Sequence, residues 1–223
     1  MPQDWTRAGV SSPSSAEPGD GEPAPRRRRA DARRNVDALI EAARTVFATS
    51  GVDAPAKEIT DLAGVGVGTL YRHFPQRSDL VKAVVESGID AVADAGPALS
   101  AGHEPAEALT KWIRRFTELL ATKRGLASAL HSGDPAFSGL PGYFLQRLGP
   151  TLAALLGAAV ADGTVRDDIS ADDLLHAVTQ LSQPVPGRGP EHNQRTVAVL
   201  VDGLRCGATQ RRPAAGGRND GAR

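Results

Sequence analysis

The sequence predicts an all-α protein of about nine helices, with a three-helix N-terminal head and a larger helical C-terminal domain. Apolar residues recur at helical spacing almost everywhere between residues 36 and 204, and no convincing run of alternating polar and apolar residues predicts a strand. Glycine and proline interrupt the apolar stripes at short intervals, where they end helices. The 223 residues suffice for one large or two small domains with a substantial core.

Four short stripes come first along the chain. They lie at Val36–Phe47, Ile59 with Leu62 and Ala63, Leu70–Phe74, and Leu80–Val85. Gly51 and Gly64 follow the first two stripes and Pro75 follows the third, so each helix is expected to end there. The fourth helix is predicted to start at Arg77 or Ser78 and to run to about residue 94.

Five further stripes follow the Gly96–Pro97 pair. They lie at Leu109–Leu120, Leu126–Leu130, Phe144–Leu156, Leu174–Leu181 and Val197–Leu204. Ser170, Asp172 and Asp173 precede the fourth of these stripes, where a capping hydroxyl and acidic groups favour a helix N-terminus.

Both termini are predicted to be disordered, because prolines and polar residues there cannot bury enough surface to offset their ordering entropy. We therefore expect four segments. They are a disordered, basic-ended arm over 1–30, a head over 31–85, a helical domain over 86–208 and a disordered tail over 209–223.

Composition excludes several classes of protein. The single cysteine, Cys206, excludes an internal disulfide framework and a cysteine-based zinc site. No stretch approaches the roughly 18 apolar residues of a membrane span, and no apolar run follows Arg26–Arg29 as in a secretory signal. We expect a cytoplasmic protein without a membrane partner.

The zero net charge hides an asymmetry. Residues 26–85 carry eleven Lys and Arg against seven Asp and Glu, whereas residues 86–208 carry ten against fourteen. A basic head on an acidic body suggests a polyanion-binding head, with solvated surface charge as the alternative.

Residues 55–74 contain the most informative motif, a short helix, a turn at Gly64 and a second short helix. This is the helix-turn-helix plan, and Gly64 can adopt the positive φ of a sharp turn. The outward face of the second helix is expected to present glycines, hydroxyls and basic donors that suit phosphates and base edges. These residues are Gly66, Gly68, Thr69, Tyr71, Arg72 and His73.

Arg33 through about Val85 resembles the DNA-binding domain of TetR/AcrR-type transcriptional regulators. The matching residues are Ala42-Ala43, Phe47, Gly51, Glu58-Ile59, Ala63-Gly64-Val65, Thr69-Leu70-Tyr71-Arg72-His73-Phe74, Arg77 and Leu80. The helical remainder, with Lys123–Leu126 and Asp202–Arg205, resembles the ligand-sensing domain of this family less specifically.

The resemblance implies a role for each matching residue of the head. It implies that Lys57 reaches the major groove and that Thr69 and Tyr71 contact phosphates. His73 and Arg77 would clamp the DNA backbone beside the groove. Four residues would lie where the protein reads the DNA bases or where its backbone approaches the DNA closely: Gly66, Val67, Gly68 and Arg72.

Three further positions bear on this interpretation. The run Arg26, Arg27, Arg28 and Arg29 is interpreted as an arm that enters the minor groove, with a solvated charge run as the alternative. Thr60 stands where the family usually has Ala at the helix crossing, which predicts slightly looser packing. Ala56 replaces a capping Ser or Thr, which removes a cap worth about 1 kcal/mol.

Other chemistries have little support. Gly64–Gly68 resembles a phosphate-binding loop only superficially, because no strand precedes it and no Gly-Lys-Ser/Thr ends it. The five histidines lack metal-ligand spacing, and no Ser or Cys stands in a nucleophile elbow. We therefore predict no enzyme activity, no metal and no cofactor.

The C-terminal domain is predicted to sense a ligand and to dimerise. Residues that could line an apolar effector cavity, or simply a solid core, are Trp112, Phe116, Leu119, His131, Phe144 and Leu148. The last two helices carry apolar stripes that need cover, which a symmetric four-helix contact with a second copy would supply. The predicted interface residues are Leu174, Val178, Leu181, Val197, Leu200, Val201 and Leu204.

With the resemblance, these features predict a sequence-specific, DNA-binding transcriptional regulator. The expected form is a homodimeric repressor on a palindromic operator in double-stranded DNA, released by an unknown small-molecule effector. Such a protein would associate with the nucleoid in the cytoplasm. An activator or dual regulator, or a helical small-molecule-binding protein with a vestigial head, are the alternatives.

Overall fold

The computed structural model describes residues 25–122, 126–130 and 132–206. Within these ranges the chain forms eight α-helices of seven or more residues and one four-residue helix, with no strand, which confirms the all-α class. The helices are α1 (Pro25–Thr49), α2 (Ala56–Ala63), α3 (Val67–His73), α4 (Arg77–Gly102), α5 (Pro105–Thr122), α6 (Ala127–Leu130), α7 (Leu140–Ala161), α8 (Ala171–Leu181) and α9 (Pro190–Cys206).

Helix α1 begins earlier than the sequence predicted. Pro25 is its first residue, and Arg26–Arg29 occupy its first turns instead of a disordered arm. Proline suits the first helical turn because an N–H there has no helical partner in any case, and arginine and alanine are strong helix formers. The prediction of disorder over 25–30 is therefore wrong. Residues 1–24 and the predicted tail over 209–223 lie outside the described residues.

The chain forms two compact units, and their composition differs from the predicted division after residue 85. Unit 1 contains the described residues up to Gly88 and those of Thr122–Tyr143, whereas unit 2 contains Ile89–Ala121 and the described residues from Phe144 onward. The segment that joins α5 to α7 therefore belongs to the same unit as the head. Periodicity along the sequence cannot reveal such a long-range association.

Unit 1 has a core drawn from its first four helices. Leu39, Ile59, Leu70 and Leu80, one from each of α1 to α4, are fully buried. On α1, the Arg44 guanidinium donates a hydrogen bond of 3.1 Å to the Ser87 hydroxyl. The four helices thus share one core, and the hydrogen bond joins α1 to α4 beside it.

One residue of the predicted second stripe does not join this core. Leu62 is 57% exposed, although the sequence placed it beside Ile59. Helix α2 buries the face formed by Ala56, Ile59 and Thr60. At about 100° per residue, Leu62 lies about 200° beyond Thr60 and therefore points away from that face.

Unit 2 contains the second half of α4, which continues through Pro97 to Gly102 instead of ending near residue 94 as predicted. Pro97 has no N–H, so the Ala93 carbonyl one turn earlier loses its helical partner. The Thr151 hydroxyl of α7 donates a hydrogen bond to this carbonyl at 3.4 Å. Beside it, the Trp112 indole N–H of α5 donates to the Val92 carbonyl at 2.9 Å. Side chains from two other helices thus stabilise a proline inside α4.

Gly96 allows α7 to approach α4 closely at this point. A Cβ atom on Gly96 would overlap the Cγ2 methyl of Thr151, and the Trp112 Nε1 atom is the next side chain it would meet. One turn earlier, the Arg147 guanidinium of α7 donates to Asp90 at 2.6 Å and to Asp94 at 2.9 Å. These two carboxylates raise the pKa of Arg147 above its usual value.

Helix α7 lies within the stretch Pro135–Ala161. By length and composition alone, this stretch could cross a membrane. The sequence prediction missed this stretch. A single helix of this kind is weak evidence for a membrane span, and Leu148, Leu152 and Leu155 of α7 are buried in the protein.

The Gly96 contact generates a prediction. We expect Gly96→Ala to lower the free energy of unfolding by about 1–3 kcal/mol, because the added methyl group forces apart a packed crossing. Adding Thr151→Ser should restore most of the loss, since serine lacks the clashing methyl and keeps the hydroxyl. Urea denaturation followed by circular dichroism at fixed protein concentration measures both effects.

The matched control is Gly157→Ala, on an exposed position of α7 where a Cβ meets nothing within 4 Å. It should stabilise the protein by about 0.5–1 kcal/mol, the usual difference between alanine and glycine in a helix. A Gly96→Ala variant that behaved like Gly157→Ala would contradict the close approach of α4 and α7.

Candidate nucleic-acid interface

The turn between α2 and α3 has the geometry that the sequence predicted. Gly64 adopts φ 68° and ψ 28°, the left-handed conformation. Its N–H bonds to the Asp61 carbonyl at 3.3 Å, and the Val65 N–H bonds to the Thr60 carbonyl at 3.1 Å. Because glycine has no Cβ, this conformation costs it little, whereas any other residue would be strained. Helix α3 consequently begins at Val67, three residues after Gly64.

The two departures from the family pattern have local explanations. Ala56 is not the capping residue, because the N-cap of α2 is Pro55 and Ala56 is the first helical residue, only 4% exposed. The Thr60 side chain is 1% exposed, and its hydroxyl donates to the Lys57 carbonyl at 3.1 Å. The hydroxyl is therefore satisfied within α2, and Thr60 is buried; the looser packing stays a prediction.

Helix α3 buries Leu70 and presents its other side to solvent. Gly66, Val67, Gly68 and Arg72 are exposed, while Thr69 and Tyr71 are half-buried. Arg72 forms no ion pair with another described residue, so its guanidinium is available to a ligand. The predicted readout residues Gly66, Val67, Gly68 and Arg72 therefore all lie on solvent-exposed positions of this helix and its N-cap.

Gly66 and Gly68 are not required by the fold. Gly66 has an ordinary φ of −72°, and a Cβ on either glycine would meet nothing within 4 Å. Within a helix, glycine at position 68 destabilises by about 1 kcal/mol relative to alanine. What the two glycines provide is a bare backbone at the start of α3, which another molecule can approach closely.

Lys57 is the predicted groove contact on α2. Its side chain is 76% exposed, and its ammonium lies 2.6 Å from the Asp61 carboxylate one turn later. Exposed pairs of this kind contribute little to stability. The lysine can therefore exchange Asp61 for a phosphate at small energetic cost.

Arg77 and His73 are less available than the sequence predicted. The Arg77 guanidinium donates a hydrogen bond to the Val52 carbonyl, which ties the start of α4 to the turn after α1. His73 is half-buried, and its Nε2 atom is buried without a hydrogen-bond partner among the described residues. Both side chains therefore point at least partly into unit 1. The sequence motif alone does not specify which way they point.

The arginine run at the start of α1 cannot act as the predicted minor-groove arm while it is helical. An α-helix with its side chains is about 10–12 Å across, whereas the minor groove of B-DNA is about 6 Å wide. Arg29 is exposed, and Arg34 pairs with Asp31 in the same helix. The interpretation of Arg26, Arg27, Arg28 and Arg29 as an inserted arm stays a prediction, and it requires the first turns of α1 to unwind on DNA.

The residues of the predicted effector pocket form an aromatic cluster in unit 2. The ring centroids of Trp112 and Phe116 lie 5.7 Å apart, and those of Phe116 and Phe144 lie 5.6 Å apart. Leu148 is fully buried and Leu119 is half-buried, whereas His131 lies outside the described residues.

A separate groove of about 440 Å³ occurs in unit 1. Its lining residues come from the turn before α4, the start of α4, α6 and the segment after α6: Pro75, Gln76, Arg77, Ser78, Val81, Ala129, Ser132, Asp134 and Phe137. None of the five described residues of the predicted effector pocket lines this groove.

Most of the predicted dimer stripe is covered within one chain. Five of its residues are at most 7% exposed: Leu174, Val178, Val197, Val201 and Leu204. The other two, Leu181 and Leu200, are half-buried. The five buried residues pack in the interior of unit 2, and the contact of this stripe with a second copy stays a prediction.

Comparison with known proteins extends this description. Residues 39–84 match the family described as bacterial regulatory proteins, tetR family, and residues 104–206 match the one described as transcriptional regulator SbtR-like, C-terminal domain. The chain is also 35% identical over 68 residues to an HTH-type transcriptional regulator of Staphylococcus aureus strain MRSA252. That alignment covers 29% of this chain and 35% of the relative, so the chain spans about a third of that relative's length.

Two solved structures are similar over nearly their entire chains. TetR transcriptional regulator SCO0520 from Streptomyces coelicolor is 34% identical, has a TM-score of 0.64, and is covered to 98% by 76% of this chain. The TetR transcription regulatory protein from Mycobacterium vanbaalenii is 36% identical, has a TM-score of 0.63, and is covered to 99% by 80% of this chain. Together with the geometry of α2 and α3, these similarities show that the chain belongs to the TetR family of helix-turn-helix transcriptional regulators.

Proposed function

We propose that the chain is a homodimeric repressor that binds a palindromic operator through α3 and releases it when a small molecule occupies the C-terminal domain. The observation that carries the proposal is the exposed start of α3. It has two glycines for which the fold has no need, followed by an arginine with no ion-pair partner among the described residues. A surface built for close contact with a polyanion accounts for all three.

The side chains of α3 divide into two roles. Arg72 can donate two parallel hydrogen bonds to a guanine edge in the major groove, which is the commonest base-specific contact. Thr69 and Tyr71 carry hydroxyls that suit phosphate oxygens, and such contacts position the helix without reading sequence. Lys57 adds an exposed cation from α2. We assign base readout to Arg72 and positioning to the other three.

The basic start of α1 provides a second, sequence-independent contact. A helical run of arginines can lie along the phosphate backbone, because a helix that lies outside the groove is not restricted by the groove's width. Each phosphate that such a run neutralises steepens the dependence of log affinity on log salt by about 0.9. We assign Arg26–Arg29 to this backbone contact in place of minor-groove insertion.

The effector is proposed to act through α4, which contributes its first half to unit 1 and its second half to unit 2. The proposed effector site is the aromatic cluster of Trp112, Phe116 and Phe144. Trp112 and Phe116 are fully buried, so a small molecule binds there only if the surrounding side chains move apart. A ligand shifts the protein away from DNA only if it binds the DNA-incompetent conformation more tightly than the competent one.

Fluorescence anisotropy of labelled DNA from upstream of the protein's own gene tests this function. The assay uses purified protein at two salt concentrations with excess non-specific competitor. Saturable binding that resists the competitor supports a sequence-specific regulator. Binding that the competitor abolishes on this DNA, and on fragments selected from the whole genome, would contradict it.

The Gly68→Ala variant distinguishes an effect on DNA contact from an effect on protein stability. We expect the variant to gain about 0.5–1 kcal/mol in unfolding free energy, as alanine replaces an open helical glycine. Operator affinity should nevertheless fall at least about tenfold, because the methyl group occupies space that the DNA needs. Gly157→Ala is the control, with a similar gain in stability and unchanged DNA affinity. If Gly68→Ala bound the operator as tightly as the wild-type protein, the DNA would not approach the α3 backbone closely at residue 68.

Arg72→Ala tests base readout. Binding to the operator should weaken by about 1–3 kcal/mol, the discrimination of one bidentate contact, while non-specific DNA is affected far less. Arg115→Ala, which removes an exposed arginine of α5 in unit 2, should leave both affinities unchanged. Anisotropy on a panel of operator variants provides the measurement. An identical loss on every variant and on non-specific DNA would assign Arg72 to the phosphates instead.

A further inference from the structure

The groove of about 440 Å³ in unit 1 has no role in the proposed DNA contact. One of its walls is the connection between α3 and α4 together with the first turn of α4. The other wall is α6 and the segment that follows it, and both walls belong to unit 1. Binding sites for small molecules usually have volumes of about 300–1,000 Å³. The volume of the groove therefore suits a small organic molecule.

Hydrogen bonds within the protein hold both walls of the groove in place. On the first wall, the Asp79 carboxylate accepts a hydrogen bond of 2.9 Å from the Gln76 N–H. On the second, the Asp134 carboxylate accepts one of 2.9 Å from the Ala136 N–H, and the neighbouring Phe137 is buried. The groove consequently exists before any molecule binds in it.

The lining combines apolar surface with side chains that can form new hydrogen bonds. Val81 and Phe137 supply apolar surface, and both are buried residues of the core. The Ser78 hydroxyl and the Gln76 side-chain amide form no hydrogen bond with another described residue. These two groups are therefore available to donate to a ligand and to accept from it.

The two charged residues of the lining favour an uncharged ligand. The Arg77 guanidinium donates a hydrogen bond to the Val52 carbonyl, and the Asp134 carboxylate accepts one from the Ala136 N–H. Since these charges have opposite signs, an ionic ligand of either sign would meet a like charge, which is unfavourable. The lining thus suits a molecule with an apolar body and a hydroxyl or carbonyl group.

We propose that this groove binds an uncharged organic molecule with a hydroxyl or carbonyl group, and that the bound molecule weakens DNA binding. Helix α3 ends at His73, and the lining of the groove begins two residues later at Pro75. A molecule that pushes Pro75 and Gln76 away from the facing wall therefore moves the end of the DNA-binding helix. The site goes beyond the proposed function, whereas its effect on DNA rests on that function.

This site differs from the aromatic cluster of unit 2 in two ways. The groove is open as it stands, whereas Trp112 and Phe116 of the cluster are fully buried. A molecule in the groove also acts within unit 1, without a signal that passes along α4 from unit 2. It shifts the protein away from DNA to the extent that it binds the DNA-incompetent conformation more tightly.

Protection of a cysteine tests whether the groove binds such a molecule. In a Cys206→Ser background, Ala129→Cys places a thiol in the groove and leaves Ser78 and Gln76 intact. Benzyl alcohol is the probe, because it combines an apolar ring with one hydroxyl. Increasing concentrations of the probe should slow the reaction of this thiol with iodoacetamide until the effect saturates.

The matched control is Ala83→Cys in the same background. Ala83 is also half-buried in unit 1, but it does not line the groove. Benzyl alcohol should leave the reaction rate at residue 83 unchanged. A rate at residue 129 that the probe does not change, or an equal decrease at both residues, would overturn the site.

A tethered group tests the effect on DNA. Benzyl methanethiosulfonate attaches a benzyl group to the thiol of Ala129→Cys, and methyl methanethiosulfonate attaches only a methyl group. The benzyl adduct should bind the operator at least about fivefold more weakly than the methyl adduct, which is a typical allosteric coupling. The benzyl adduct of Ala91→Cys, an exposed position of α4 in unit 2, should bind like its methyl adduct. Fluorescence anisotropy measures the affinities, and circular dichroism verifies the helix content.

The two experiments separate this inference from the proposed function. Protection at residue 129 is measured without DNA, so it decides the binding site whether or not the chain recognises a DNA sequence. Specific operator binding that is equal for the benzyl and methyl adducts at residue 129 would overturn the effect on DNA, while the repressor stands. Binding that the non-specific competitor abolishes in every protein would contradict the proposed function and the effect on DNA together.

Discussion

The absence of a side chain at Gly96 is the constraint on which the packing of unit 2 depends. It lets α7 approach α4 until Thr151 occupies the space of the missing Cβ. That approach brings the Thr151 hydroxyl to the carbonyl that Pro97 leaves without a helical partner, while Trp112 serves the carbonyl beside it. One turn away, Arg147 joins α7 to two aspartates of α4. Helices α5 and α7 are thus fixed on about two turns of α4.

The helix-turn-helix of unit 1 uses glycine for two different purposes. Gly64 is needed by the fold, because its left-handed conformation turns the chain sharply between α2 and α3. Gly66 and Gly68 are not, because their positions are open and their conformations ordinary. Glycine is therefore required by the fold at residue 64, whereas at residues 66 and 68 it leaves open space, which we propose the DNA uses. Only the backbone angles and the surrounding space distinguish the two cases.

Much of the fold could be predicted from the sequence because apolar periodicity directly records which side of each helix is buried. The sequence predictions were wrong where a residue distant in the sequence supplies a hydrogen-bond or packing partner. The helix through Pro97 depends on Thr151 and Trp112, and the association of the described residues between 122 and 143 with the head leaves no periodic signal. In the site, the motif identified the exposed residues of α3, but not that Arg77 turns to the Val52 carbonyl.

The predicted dimer stripe illustrates a related point. An apolar pattern shows that a helix face is buried, but the same pattern arises whether the same chain or another one covers that face.

Selection of random DNA by the purified protein tests the central claim most directly, namely that α3 reads sequence within a two-fold symmetric protein. The account predicts enrichment of an inverted repeat whose half-site centres lie 10–10.5 base pairs, or a multiple of that distance, apart. Arg72→Ala should lose the preference at one position of each half-site. Recovery of DNA without a common sequence, with affinity set by salt alone, would contradict the account.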